Sequence, residues 1–469
     1  VRSLFADSAL SGAFIPVFSE LIEQKRRAEA FRLASTLFMV MFAALGLLTV
    51  AFILIAPWFV SLIMPSTLAD AGLTTLTIGL SQLLFPIVMI LGLNGLAVGI
   101  LQAYDRFTIP ALSALVWNLV IMVMMVALEP YFHGQNSIYA YAIGILVGTV
   151  VQFLMALPVL RKVGFEFSFS FNFRDKRVLE VFALMLPVTL GLGLINLNLF
   201  ANAQIGGEIS KAVPRAIDQG FRIYMLPQGI FSVAISTVLF PQLARMAARR
   251  DLAGIQRTCA QGLKFIFLML LPATAAILAL AHPITELIYQ RGAFTAASTD
   301  LVAAGLFWFA FSLPFSGINL LLTRTFFSLK MPWTVTALSV GNLIVNVGVS
   351  ILLIPWGIKG VVIGTVVADI LLAAAQFYFL RRALGGTLRI SGMVTPLIKM
   401  LLATVVCAGV AYGAWYVLDS WLGADLISQV IEVGVALTLA GVAYVGIVLG
   451  LRVKEATILS RMVRERLPV

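Results

Sequence analysis

The chain has 469 residues, 61% of them hydrophobic and only 11% charged, and its mean hydropathy is +1.03. That little charge cannot cover the surface of a water-soluble chain of this length, which excludes an ordinary soluble enzyme or binding module. The formal net charge is +11, but the basic residues lie between apolar windows and not along one face, which argues against a nucleic-acid partner.

Apolar windows of about 18 or more residues recur along the whole chain, and in lipid such windows form spanning helices. A partial helix occupies 1–22. Spans follow near 30–63, 72–103, 109–130, 137–160 and 178–205, then near 213–244, 256–281, 299–327, 333–355, 359–380, 394–418 and 428–451. The expectation is an all-α polytopic membrane protein with twelve complete spans and a fragment. Several windows exceed the roughly 20 residues a bilayer requires, so tilt or extension beyond the membrane is expected. The alternating pattern of a membrane β-barrel is absent. No signal peptide is visible, and the chain opens partway through a helix, so an earlier segment is expected to be missing. Two cysteines, Cys259 and Cys407, supply no disulfide framework.

Charge fixes an orientation for these spans. Alternate loops and the C-terminal tail carry 23 of the 32 basic residues, from Lys25, Arg26 and Arg27 through Arg161, Lys162, Arg245, Arg249, Arg381 and Arg382 to Arg464 and Arg466. The intervening loops hold only Lys211, Arg215, Arg291 and Lys359. Loops rich in Lys and Arg stay in the cytoplasm, so the basic loops and the C-terminus are placed there.

An internal repeat is also legible. Pro16, Pro57, Pro86 and Pro110 find counterparts in Pro241, Pro283, Pro314 and Pro332, at offsets of 225, 226, 228 and 222 residues. Both copies share one in/out orientation, which predicts two six-helix lobes related by a parallel pseudo-twofold axis along the membrane normal. The lobes are assigned to 1–165 and 175–385, two additional helices to 392–452, and a basic tail to 453–469.

Few charges lie inside the spans. Lys264, Arg324 and Lys399 sit within about two turns of a basic-loop end, where snorkelling accounts for them. Arg2 and Arg222 are different, each lying about 34 Å along its helix from the basic loop at 1.5 Å per residue. Besides snorkelling outward, two accounts fit them. They face one cavity and present planar forks to a pyrophosphate, or they form structural pairs with Asp7 and Asp218. Asp7 and Asp369 are the deepest acids. Asn342 and Asn346, one turn apart, offer neutral oxygens to sodium or hydrogen bonds between helices. No clustered carboxylates, metal-spaced Cys/His set, nucleophile motif or phosphate-binding glycine loop is present. The expectation is a transporter with no catalytic residue, no metal and no cofactor, driven by an ion gradient or by voltage.

Four stretches resemble a known family: RSLFADSALSGAFIPVFSE at 2–20, AYDRFTIPALSALVWN at 103–118, FRIYMLPQGIFSVAISTVLFPQLAR at 221–245 and LIYQRGAFTAASTD at 287–300. The chain resembles, over essentially its whole length, the MurJ/MviN-type lipid II flippases of the multidrug/oligosaccharidyl-lipid/polysaccharide exporter superfamily. The resemblance implies fourteen helices, two lobes in a V plus two C-terminal helices forming a hydrophobic groove, with the first helix missing from this chain. It implies transfer of the undecaprenyl-pyrophosphate-linked peptidoglycan precursor across the bacterial cytoplasmic membrane by alternating access, alongside other cell-wall synthesis proteins. It places Arg2 and Arg222 on cavity arginines and Asp7 on a nearby acidic position, while Met225 stands where some members carry an acid. Arg215 and Asp218 supply charge elsewhere on the Arg222 helix. Asn342 falls on a sodium-site asparagine and Asn346 replaces that site's carboxylate. The competing functions are a drug or organic-cation antiporter of the same superfamily and an inactive membrane scaffold.

Overall fold

The computed structural model describes residues 8–63, 71–169, 175–210, 212–292, 294–385, 391–422 and 425–457. Every regular element among them is helical. In chain order these are α1 (Ser8–Glu23), α2 (Arg27–Ile63), α3 (Ala71–Leu84), α4 (Pro86–Ala103), α5 (Thr108–Leu128), α6 (Ile138–Lys162) and α7 (Lys176–Ile209). They continue with α8 (Val213–Pro227), α9 (Ala234–Ala248), α10 (Leu252–Tyr289), α11 (Ala296–Ser328), α12 (Pro332–Leu352), α13 (Ile358–Ala383), α14 (Ser391–Asp419) and α15 (Leu426–Gly450). Eleven stretches among the described residues are long and apolar enough to cross a membrane. The 34-residue α7 occupies the remaining predicted window.

Prolines break two windows that the sequence reads as continuous. Pro86 begins α4 immediately after α3 ends, and Pro227 closes α8 before a π-helical stretch, Gln228–Val233, leads into α9. A proline lacks the N–H of the helical ladder and crowds the preceding turn, so the backbone rewinds locally. In α10 the same cause leaves Leu280 non-helical (φ −120°, ψ 21°) three residues before Pro283.

Contacts divide the chain into two compact units. The first comprises Val1–Leu192 with Ala244–Arg250 and Phe327–Pro332, and the second Gly193–Leu243, Asp251–Phe326 and Trp333–Val469. Lipid removes the usual hydrophobic drive, so helices here associate through close packing and hydrogen bonds. In unit 1, α6 meets α5 at Gly144 and Gly148, where an added Cβ would lie 3.1 Å from the carbonyl oxygens of Ile121 and Trp117. The Trp117 indole N–H donates to Thr149 Oγ1 at 3.1 Å across the same seam. In unit 2, α14 lays Ala403, Cys407 and Ala411, four residues apart, beside Ala436 and Ala440 of α15, and both pack on Leu268, Leu271 and Ala275 of α10.

The helices that end at the basic loops share one device. Lys25, Asp105, Arg250, Lys330 and Arg452 all have φ between 53° and 59°, and Gly164 and Gly385 have φ 76°. Each stands just beyond a helix end. At 25, 105, 164 and 452 the paired 5→2 and 6→1 backbone bonds of a Schellman turn close the helix. Lys25 and Arg250 are 225 residues apart, as are Asp105 and Lys330, matching the repeat measured on the prolines.

Those turns carry charge into unit 1. Lys330 Nζ contacts Glu20 and lies 2.6 Å from Glu180, and Arg177 pairs with both acids at 3.1 and 3.0 Å. Arg245 lies 3.0 Å from Asp105 and donates to the Ala103 carbonyl at 3.0 Å, while Arg249 reaches Glu23 at 2.5 Å.

Candidate functional site

The residues that sequence marked as functional fall into three places. Arg2 and Asp7 lie outside the described residues. The second place is α8. Its apolar positions, Val213, Ala216, Ile217, Gly220, Ile223 and Tyr224, are buried, which leaves Arg215, Asp218, Arg222 and Met225 along the opposite, exposed face. Arg222 Nε donates to Asp218 Oδ2 at 2.9 Å, with side chains 71% and 59% exposed. The structural pair and the exposed guanidinium are therefore both real, since among the described residues the pair uses one N–H and leaves the rest of the fork free.

Behind that face, α8 is anchored by a polar chain. Tyr224 Oη lies 3.2 Å from Ser312 Oγ, and Ser312 in turn donates to the Asp369 carboxylate. Asn319 Nδ2 donates to the Asp369 carbonyl at 3.1 Å. The chain ties α8 to α11 and α13, and an aromatic trio, Phe221, Tyr224 and Phe309, packs over the same junction. Asp369 is legible in the sequence as an acid within an apolar window. Its hydroxyl partners are not, because they come from helices far apart in the chain.

Asn342 and Asn346 form the third place, an amide network within unit 2. Asn198 Nδ2 donates to Asn342 Oδ1 at 3.1 Å, and Asn346 Nδ2 donates to Asn202 Oδ1 at 2.9 Å and also to Asn198. The remaining oxygen, Asn346 Oδ1, accepts from Ser350 at 3.2 Å and Thr365 at 3.3 Å. Both lone pairs of that oxygen are committed, and Asn342 links the network to the Asp369 carboxylate. The Asn346 oxygen therefore has no lone pair left to offer a cation, both being spent instead on neighbouring hydroxyls. The geometry of the network is that of an interhelical clasp between α7, α12 and α13.

The basic residues read as snorkelling have partners. Lys264 pairs with Glu455 at 3.1 Å, and Lys399 Nζ donates to the Leu451 carbonyl at 2.8 Å, satisfying the end of α15. The Arg324 guanidinium stands 5.3 Å from the centroid of the Phe240 ring. Among the described residues no group of three His, Cys, Asp or Glu is arranged to hold a metal ion.

With this geometry in place, similarity adds identity. The profile of the family described as lipid II flippase MurJ matches residues 1–431. A probable lipid II flippase MurJ of Rhizobium meliloti is 28% identical over 447 residues, covering 94% of this chain and 82% of the relative. Another probable lipid II flippase MurJ, from Rhizobium tropici, is 30% identical and covers 81% and 72%. Among solved structures, a lipid II flippase MurJ in an inward closed conformation superposes with a TM-score of 0.59 at 18% identity, covering 93% and 92%. The MATE transporter VcmN of Vibrio cholerae in its bent form gives 0.69 at 17%, covering 80% and 84%. At such identities these two likenesses establish a common fold.

Proposed function

Since the chain belongs to the lipid II flippase MurJ family, we propose that it moves lipid II, the undecaprenyl-pyrophosphate-linked peptidoglycan precursor, from the inner to the outer leaflet of the bacterial cytoplasmic membrane by alternating access. It is a transporter and not an enzyme, so its residues have to bind, release and change sides, and no bond is made or broken. The observation that carries the mechanism is the polar face of α8, where Arg215, Asp218 and Arg222 interrupt a spanning stretch.

In this mechanism the precursor's pyrophosphate takes the free side of the Arg222 fork, a planar match for phosphate oxygens. Asp218 holds the guanidinium in position before binding and relinquishes it to a doubly charged competitor. Arg215 raises the local positive potential one to two turns away. The lipid tail stays in the hydrocarbon. The Tyr224–Ser312–Asp369 chain keeps α8 in register while the arginines exchange partners. Because the α8 face presents two arginines to an anionic cargo, the membrane potential contributes to the direction of movement.

The lobes would be 1–165 and 175–385, related by the pseudo-twofold, with the helices of 392–452 added and the basic loops and C-terminus in the cytoplasm. The 225-residue echo of the positive-φ turns supports that duplication. So do two ion pairs of opposite sense, since Glu20 corresponds to Arg245 and Lys330 to Asp105 at the same offset, and both pairs form. Such pairs close the basic-loop side and break when it opens. An organic-cation antiporter would present acids where α8 presents arginines.

Rescue of a bacterium depleted of its own lipid II flippase tests the proposal. The gene for this chain is expected to restore growth, and Arg222→Ala at equal membrane level to abolish it. A wild-type protein that inserts but does not rescue refutes the flippase reading; full rescue by Arg222→Ala refutes the pyrophosphate clamp alone.

A further inference from the structure

A second polar constellation lies within unit 2, among residues to which the proposed mechanism gives no role. Where α10 and α14 end and α15 begins, a cavity of about 290 Å³ opens among Pro283, Glu286, Trp415, Asp419, Gln429 and Glu432. Three of its eight lining residues are carboxylic acids, Leu422 and Val433 completing the wall, and among the described residues no basic side chain lines it.

Glu432 is the informative member. It is 3% exposed and lines the cavity, yet no hydrogen bond or ion pair reaches its carboxylate among the described residues. Its neighbours are themselves acidic, with Asp419, Glu286 and Asp425 all close enough to act on it. Glu286 is differently placed. It accepts from Gln429 Nε2 at 3.2 Å and lies 3.7 Å from His282 Nδ1, whose Nε2 is 3.1 Å from Asp300. One acid of the cavity is thus matched within the protein, while the buried one is not. A buried carboxylate among like charges is unfavourable unless a positive group completes it.

The cavity also says what kind of positive group. Among the described residues no three acids or imidazoles converge as metal ligands do. The acids instead surround a space much larger than a bare ion, and Trp415 adds an indole to the wall. Dispersed carboxylates beside an aromatic ring are the surroundings of an organic cation. We propose that the cavity between α10, α14 and α15 binds an ammonium-bearing ligand, with Glu432 as its principal counter-ion and Trp415 and Asp419 at its rim. The site stands independently of lipid translocation.

Calorimetric titration of the purified full chain with 1,4-diaminobutane tests it, first in a detergent free of amines. Saturable binding is expected, weakened at least tenfold by Glu432→Gln and less by Asp419→Asn. The melting temperature of Glu432→Gln without ligand is expected to equal or exceed that of the wild type, because the variant loses a lone buried charge. The ammonium source is assigned by repeating the titration in nanodiscs. If phosphatidylethanolamine, but not phosphatidylglycerol, blocks the diamine, the occupant is a lipid headgroup; equal binding in both makes it a soluble amine. Either result supports the site. Equal affinity in wild type and Glu432→Gln, no binding in detergent or in either nanodisc, or displacement of the diamine by equimolar Mg²⁺ overturns it.

Discussion

Arg222 and Asp218 lie four residues apart on α8 with most of both side chains exposed, and an exposed pair at this spacing contributes only about 0.3–0.5 kcal/mol. Removing it therefore barely touches folding, which makes the pair a clean probe of transport. Arg222→Lys keeps the charge but loses the planar fork, so transport is expected to fall between those of the wild type and Arg222→Ala. Asp218→Asn releases the fork and is expected to tighten binding of inorganic pyrophosphate, measured by calorimetry on the purified protein, with the melting temperature little changed. Tighter binding in Asp218→Asn and weaker binding in Arg222→Lys together identify the fork as the ligand. If neither moves, the pair is structural. At this scale the sequence shows which charges need an explanation but not what explains them. Lys264 is recognisable as a cation within an apolar stretch. Its partner Glu455 is 191 positions further along, and no local pattern links the two.

Helix against helix, the seam of α5 and α6 depends on two glycines. A Cβ at Gly148 would lie 3.1 Å from the Trp117 carbonyl oxygen and 3.2 Å from the Trp117 ring, and a backbone atom cannot rotate aside. Gly148→Val is expected to destabilise the protein by about 1–3 kcal/mol, the usual range for overpacking, seen as a lower melting temperature in detergent. Gly409→Val, where nothing lies within 4 Å of the added Cβ, serves as the matched control and is expected to be near neutral. A Gly148→Val protein that melts with the control would mean that α5 and α6 separate easily. Elements of this kind are legible in advance, because lipid forces each apolar window to satisfy its own backbone. The windows 109–130 and 359–380 accordingly appear as Thr108–Leu128 and Ile358–Ala383. The window 213–244 instead resolves into α8, a π-helical stretch and α9. Periodicity sees only a continuous apolar run there, whereas the local rewinding depends on how Pro227 is accommodated.

For the whole molecule, the proposed change of sides requires the charge pairs on the basic-loop side to form and break in every cycle. Glu20 meets both Lys330 and Arg177 with only 19% of its side chain exposed. Water therefore screens these contacts less than those of a surface pair. Glu20→Lys places three cations together and is expected to favour the state open on the basic-loop side, and Lys330→Glu to do the same by gathering acids. The double variant Glu20→Lys/Lys330→Glu restores one attraction, though Arg177 and Glu180 then face altered neighbours, so recovery is expected to be partial. Coupling between contacting charges is typically about 0.5–3 kcal/mol, enough to shift a two-state population several-fold to a hundredfold. A cysteine introduced at Ala244, which is 2% exposed and adjoins Arg245 on the basic-loop side, gives the readout as its rate of labelling by a water-soluble maleimide. Labelling should accelerate in each single variant and slow again in the double. Acceleration that is merely additive in the double variant would show that Glu20 and Lys330 act independently, and closure of that side would then rest on Arg245 and Arg249 with Asp105 and Glu23.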